Sequence, residues 1–284
     1  MTEDLSPVGR FETIVLATEG SEYSAAAEAV ALEMARQCGA RLLVTRVVLT
    51  NPEYEALVPD RVQKAETEAQ KQIERIAEDA RAAGIRAETV LQQGSDPHHE
   101  VVRVANDRHA DVIVIGRRTR SDLARIMVGD STAKVIGLAS CSVLVVPRDT
   151  KMAEKGILVA TDGSRLGDAA AYSAVRLVGK CKLPLTVISV VAEDSTAEDR
   201  SQAQAAVDRV RKEAAGEQVK VEAMLREGAR PDTVIITTAK HRNADMIVVG
   251  SHGRTGLSRL MMGSVSERVI GRADCPVLVV KASM

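Results

Sequence analysis

The chain has 284 residues, with 38 Lys and Arg against 39 Asp and Glu and a formal net charge of −1. That length favours two domains, and the balanced charge excludes a general field for binding polyanions. With no Trp, one Phe and three Tyr, the cores must be built from Val, Ile, Leu, Ala and Met. Aromatic platforms for single-stranded nucleic acid are hardly available.

In chain order, the opening MTEDLSPVGRFE is polar and acidic, unlike a signal peptide. A buried strand is expected over 13–18, then an Ala-rich helix over 24–37 closed by Gly39. A second strand covers 41–49. A long charged helix over 59–83 carries apolar positions at Val62, Ala65, Ala69, Ile73 and Ile76 and stops at Gly84. A third strand follows over 85–91. Ser95-Asp96-Pro97 supplies an N-cap and a first-turn Pro for a helix to Asn106. A fourth strand over 112–115, a helix over 131–138 and a fifth strand over 143–146 complete the unit.

The whole pattern then returns. IVLATEGS at Ile14 comes back as ILVATDGS at Ile157, 143 residues on, whereas ADVIVIG at Ala110 and CSVLVVP at Cys141 come back as ADMIVVG and CPVLVVK 134 residues on. Two homologous domains, 1–150 and 151–284, are therefore expected. The nine-residue difference, 143 less 134, must arise in the middle of the unit. Strands are expected over 157–161, 185–191, 219–225, 246–249 and 277–280, and helices over 168–178, 197–215, 231–242 and 264–272. Alternating strands and helices imply right-handed crossovers and a parallel sheet covered on both faces, an α/β Rossmann-like unit in each copy. The fifth strands would be exposed edges, so their pairing within the chain, as a pseudo-dimer, is expected. Further homodimerisation is left open. No apolar run approaches a membrane span. Cys38, Cys141, Cys181 and Cys275 lie at equivalent repeat positions with no C-x-x-C and read as small buried apolar residues of a reduced, cytoplasmic protein.

The most informative stretch runs from Ala244 to Ile270, ADMIVVGSHGRTGLSRLMMGSVSERVI. A β-branched run stops at Gly250. A loop follows with Gly253, Arg254 and Arg259, and then Gly263 and Ser264 stand at the head of an amphipathic segment. Strand, glycine loop and helix start together bring bare backbone N–H groups to an anion. Ser264 is the expected N-cap. A capped surface loop is the structural alternative.

The spacing Gly250-x2-Gly253-x9-Gly263-Ser264, the ATDGS after the first strand of the second copy, and the closing CPVLVV resemble the universal stress protein family, in tandem form. The resemblance covers nearly the whole chain twice. It implies two domains like the adenine nucleotide alpha hydrolases, each a five-stranded parallel sheet of order 3-2-1-4-5. It also implies a stress-response regulatory protein that binds ATP, with or without Mg2+, and acts through protein partners not identifiable from sequence, with no nucleic-acid or membrane partner. The adenine and ribose end falls on Ala160, Thr161, Asp162 and Val190. The phosphate end falls on Gly250, Gly253, Arg254, Gly263, Ser264, Val265 and Ser266. Asp162 as a helix cap and Val190 as core remain the structural alternatives.

The first copy departs from that pattern. Glu19 replaces Asp162, Thr119 replaces Gly253, and Asp130 replaces Ser264. A carboxylate at a helix start would occupy the phosphate's place, and like charges about 4 Å apart repel by roughly 1–4 kcal/mol at high effective dielectric. The first site is expected to be weak or empty. Arg117, Arg118, Arg120 and Arg125 are read as a solvated loop. No P-loop, G-x-S-x-G or H-E-x-x-H occurs, and no positioned base is evident, so at most slow ATP hydrolysis is expected. A nucleotide-free scaffold is the competing function.

Overall fold

The computed structural model describes residues 11–117, 130–253 and 262–281. Among them, 11–117 with 130–149 form one compact unit, and 150–253 with 262–281 form the other.

In the first unit, β1 (Thr13–Ala17), α1 (Ala25–Cys38), β2 (Arg41–Leu49), α2 (Pro52–Leu57), α3 (Pro59–Ala82), β3 (Ala87–Gly94), α4 (Pro97–Asp107), β4 (Val112–Gly116), α5 (Asp130–Leu138) and β5 (Ser142–Val146) follow one another. All its strand pairs are parallel, β1 with β2 and β4, β2 with β3, and β4 with β5. The order is therefore 3-2-1-4-5. The central strands are apolar on both faces because helices cover both. Ile14, Val15, Leu16, Ile113 and Val114 have no exposed surface.

The second unit repeats this with β6 (Ile157–Ala160), α6 (Arg165–Cys181), β7 (Leu185–Val191), α7 (Ala197–Gly216), β8 (Val221–Glu227), α8 (Pro231–His241), β9 (Met246–Gly250), α9 (Ser264–Arg272) and β10 (Val277–Val280). Pairs β6–β7, β6–β9, β7–β8 and β9–β10 are again parallel. Helix α6 packs on α7, and α8 on α9.

Each unit ties its first strand to its fourth through one carboxylate. Asp111 accepts the N–H groups of Glu12 and Thr13 at 2.7 and 2.8 Å. Its counterpart Asp245 accepts those of Glu154, Lys155 and Gly156.

Helix α2 accounts for the nine-residue difference between the copies. It begins at an Asn51 cap whose side chain accepts from Tyr54 N–H. The second copy passes from β7 to α7 without it. Sequence periodicity missed it because six residues are too few to show a helical period. The third strands start two residues later than expected in both units, where the backbone begins to pair with β2 and β7. The four cysteines are half-buried rather than fully buried. They lie near helix and strand ends, which the helices do not completely cover. Arg117, expected in solvent, is buried at 7% exposure. Its N–H continues the sheet by donating to Val146 O at 2.8 Å.

Candidate functional site at the carboxyl edge of the second sheet

Strands β6, β7 and β9 run in parallel to one edge of the sheet, and the predicted residues among those described lie along it. The ladder between β6 and β7 runs through Ala160 opposite Ile188, and Thr161 N–H donates to Ile188 O at 3.0 Å. β7 continues to Val191 while β6 has turned away. Backbone groups alternate in direction along a parallel ladder, so those of Val190 that point away from β8 face past the end of β6. Val190 is half-buried at this edge and is not a core residue.

The loop after β6 is fixed by short-range bonds. Thr161 Oγ1 accepts Gly163 N–H at 3.1 Å and donates to Asp168 Oδ1 at 3.1 Å, and Asp168 is paired with Arg209 of α7 at 2.8 Å. Gly163 has φ +75, a conformation that glycine takes at little cost. Asp162 does not cap α6. That role falls to Ser164, whose Oγ accepts Gly167 N–H at 3.1 Å. Asp162 instead accepts Ser164 N–H at 3.0 Å and lies between two glycines. A Cβ on Gly167 would come 2.6 Å from Asp162 Oδ1, and one on Gly253 would come 2.6 Å from Oδ2. A side chain at either glycine would push the Asp162 carboxylate aside.

The two other signature glycines differ in purpose. Gly250 is buried, and a Cβ there would meet the Leu166 carbonyl carbon and oxygen at 2.8 Å. Its own carbonyl accepts the hydroxyl of Ser266 at 2.7 Å. Gly116, at the same place in the first unit, likewise abuts the Tyr23 backbone. Gly250 therefore lets a strand end pass against a helix start. Gly263, not Ser264, is the N-cap of α9. Its carbonyl already accepts Glu267 N–H at 2.9 Å, which makes Ser264 the first helical residue. Helix geometry leaves the N–H groups of Ser264, Val265 and Ser266 without intrahelical acceptors, and among the described residues no side chain caps α9. Helices α6 and α7 do have side-chain caps. Helix α8 has none, but Pro231 removes one of its donors.

Beside this helix start, His252 Nδ1 lies 3.1 Å from Ser251 Oγ, and its buried Nε2 has no hydrogen-bond partner among the described residues. Arg254 and Arg259 lie outside the described residues, as do Thr119 and Gly129 and the arginines at 118, 120 and 125. Sequence reasoning missed Asp168, Arg209 and Gly167. Arg209 stands 41 residues from Asp168 with no motif linking them. Gly167 could have been suspected from its place three residues after a Ser cap.

A model of the universal stress protein family matches residues 10–147 and again 154–281. The chain belongs to that family. A universal stress protein of Methanocaldococcus jannaschii is 37% identical over 140 residues, 45% of this chain and 82% of the relative. The universal stress protein YxiE of Bacillus subtilis is 31% identical over 147 residues, 48% of this chain and 99% of the relative. Among solved structures, a universal stress protein from Archaeoglobus fulgidus aligns with TM-score 0.77 and 25% identity, covering 95% of this chain and 98% of that one. Among the described residues no helix is long and apolar enough to cross a membrane.

The first universal stress protein domain has replaced both the acid and the two glycines beside it. Glu19 stands for Asp162, Ser24 for Gly167 and Thr119 for Gly253. Glu19 accepts the hydroxyl of Ser21 at 2.8 Å, turned toward its own loop. Asp130 begins α5, at the place of Ser264.

Proposed function

We propose that the second domain binds ATP reversibly and that occupancy biases the protein's conformation or its choice of protein partner. The carrying observation is the Asp162 carboxylate set between Gly167 and Gly253, on the same sheet edge as an uncapped helix start. In this reading Asp162 accepts the ribose hydroxyls, and Val190 pairs with the base through its backbone beside Ala160 and Thr161. Gly253, Gly263 and the amides of Ser264, Val265 and Ser266 receive the phosphates, with Arg254 adding positive charge. Gly250 contributes by packing. His252 Nε2 would donate to a phosphate oxygen.

Among the described residues no group of three or more His, Cys, Asp or Glu could hold a metal ion, so Mg2+ would be held mainly by the nucleotide. Among the described residues of the cradle no side chain is placed for a covalent step. The role proposed is therefore regulatory binding, in the cytoplasm, with hydrolysis slow at most.

Calorimetric titration of ATP into the full chain and into Asp162→Ala tests this. One site per chain in the first and a loss of roughly tenfold or more in affinity in the second are expected, about 1.4 kcal/mol. Absence of heat in the wild type, with no nucleotide released on denaturation, would instead favour the nucleotide-free scaffold.

A further inference from the structure

Matching the two domains position by position reveals what stands at the base end of the first crevice. Leu42 pairs with Ile14 as Leu185 pairs with Ile157, so the second strands correspond at an offset of 143 and Arg46 matches Ser189. Ala87 pairs with Leu42 as Val221 pairs with Leu185, an offset of 134 for the third strands. At that same offset the buried residues Ala69, Ile73, Ile76 and Ala80 of α3 match Ala203, Val207, Val210 and Ala214 of α7, which are buried too. Gln72 therefore matches Ala206.

Arg46 and Gln72 act together. Arg46 Nη1 donates to Gln72 Oε1. The Gln72 amide lies against Gly20, so close that a Cβ built on Gly20 would overlap it. Gly20 follows Glu19 directly and has φ +73, so it both permits the turn and leaves room for the amide. A guanidinium–amide pair thus joins β2, α3 and the loop after β1 at the level where, in the second domain, Val190 and Asp162 stand. Ser189 and Ala206 have 1% and 0% exposure and are too short to bridge to that loop. The nine side-chain heavy atoms lost between Arg-plus-Gln and Ser-plus-Ala are the difference between the two.

We propose, on the reading of the second domain as the nucleotide-binding half, that Arg46 and Gln72 form a plug closing the first crevice to adenine nucleosides. The plug acts at the base and ribose end and is independent of the residues opposite the phosphates. A base entering there must break the Arg46–Gln72 hydrogen bond and expel both side chains from the loop. The first domain is then an internally filled copy of its partner, and its selectivity resides on β2 and α3.

A nucleoside without phosphates isolates this effect. Full-length wild type and Arg46→Ser/Gln72→Ala are photolabelled with 8-azidoadenosine, with adenosine as competitor, and the labelled peptides are mapped. Wild type should label only second-domain peptides, and the double variant should gain adenosine-competed label around β2. A folded double variant with no first-domain label would overturn the plug. If wild type shows no competed label in the second domain, the nucleotide reading fails there. Label gained in the first domain of the variant would still support the plug in that case. Should the double variant not fold, Gln72→Ala decides, because α7 folds with Ala at the matching position. Label gained in it supports the plug, and none counts against it.

Discussion

Glycines of one motif do different work, and substitution separates them. A Cβ on Gly250 strikes the Leu166 backbone at 2.8 Å, which cannot retreat without moving α6. Gly250→Ala should therefore cost about 1–3 kcal/mol in urea unfolding. A Cβ on Gly263 finds its nearest neighbour at 3.3 Å, and Ala is a poorer N-cap than Gly, so Gly263→Ala should cost about 1 kcal/mol or less. Any loss of ATP affinity in Gly263→Ala then reports the cradle alone. Equal destabilisation by both would show that the distinction is wrong. Gly253 is intermediate, because its neighbour is the flexible side chain of Asp162, the proposed ribose ligand. Exchanging it for the Thr of the first domain disturbs the acid as well as the phosphate path. Sequence spacing pointed to all three glycines, and the family resemblance to Asp162. Their separate purposes were not legible, since they depend on Leu166 and Gly167, whose positions only the folded loop determines.

Between elements, one buried carboxylate locks α8 to α9. Asp232 is 1% exposed and is met by Arg230 at 3.3 Å, Arg268 at 3.3 Å and Arg272 at 2.5 Å. Removing its charge leaves three guanidinia facing one another, so Asp232→Asn should destabilise the second domain by about 2–4 kcal/mol, discounted for the partial exposure of the arginines. An unchanged denaturation midpoint would show that solvent screens the cluster completely. Helix α2 is the opposite case. Its Tyr54 and Leu57 are 44% and 79% exposed, and the second domain folds without any such helix. Excising residues 51–59 should keep a cooperative transition and the far-ultraviolet spectrum, and collapse of the first domain would make α2 structural. Long elements such as α3 and β7 were legible because burial repeats over many residues. Helix α2, the N-cap residue of α9 and the starts of the third strands were not, because they are set by caps and by where a neighbouring strand begins to pair.

At the scale of the whole molecule, one family fold occurs twice, and only the second copy carries Asp162, Gly253 and Ser264 together. Duplication made the domain pair readable from sequence, and it also exposed the losses at Glu19, Thr119 and Asp130. It did not expose Arg46 and Gln72. Neither belongs to a motif, and their meeting over Gly20 follows from β2 and α3 lying side by side. The central claim is that a nucleotide occupies the edge formed by Asp162, Val190, Gly253 and the α9 start and leaves the first crevice filled by protein. A crystal structure of the full chain grown with excess ATP tests this most directly. It should show one nucleotide against α9, with Gln72 still resting on Gly20. Density beside Gly20, or none in either domain, would contradict the account.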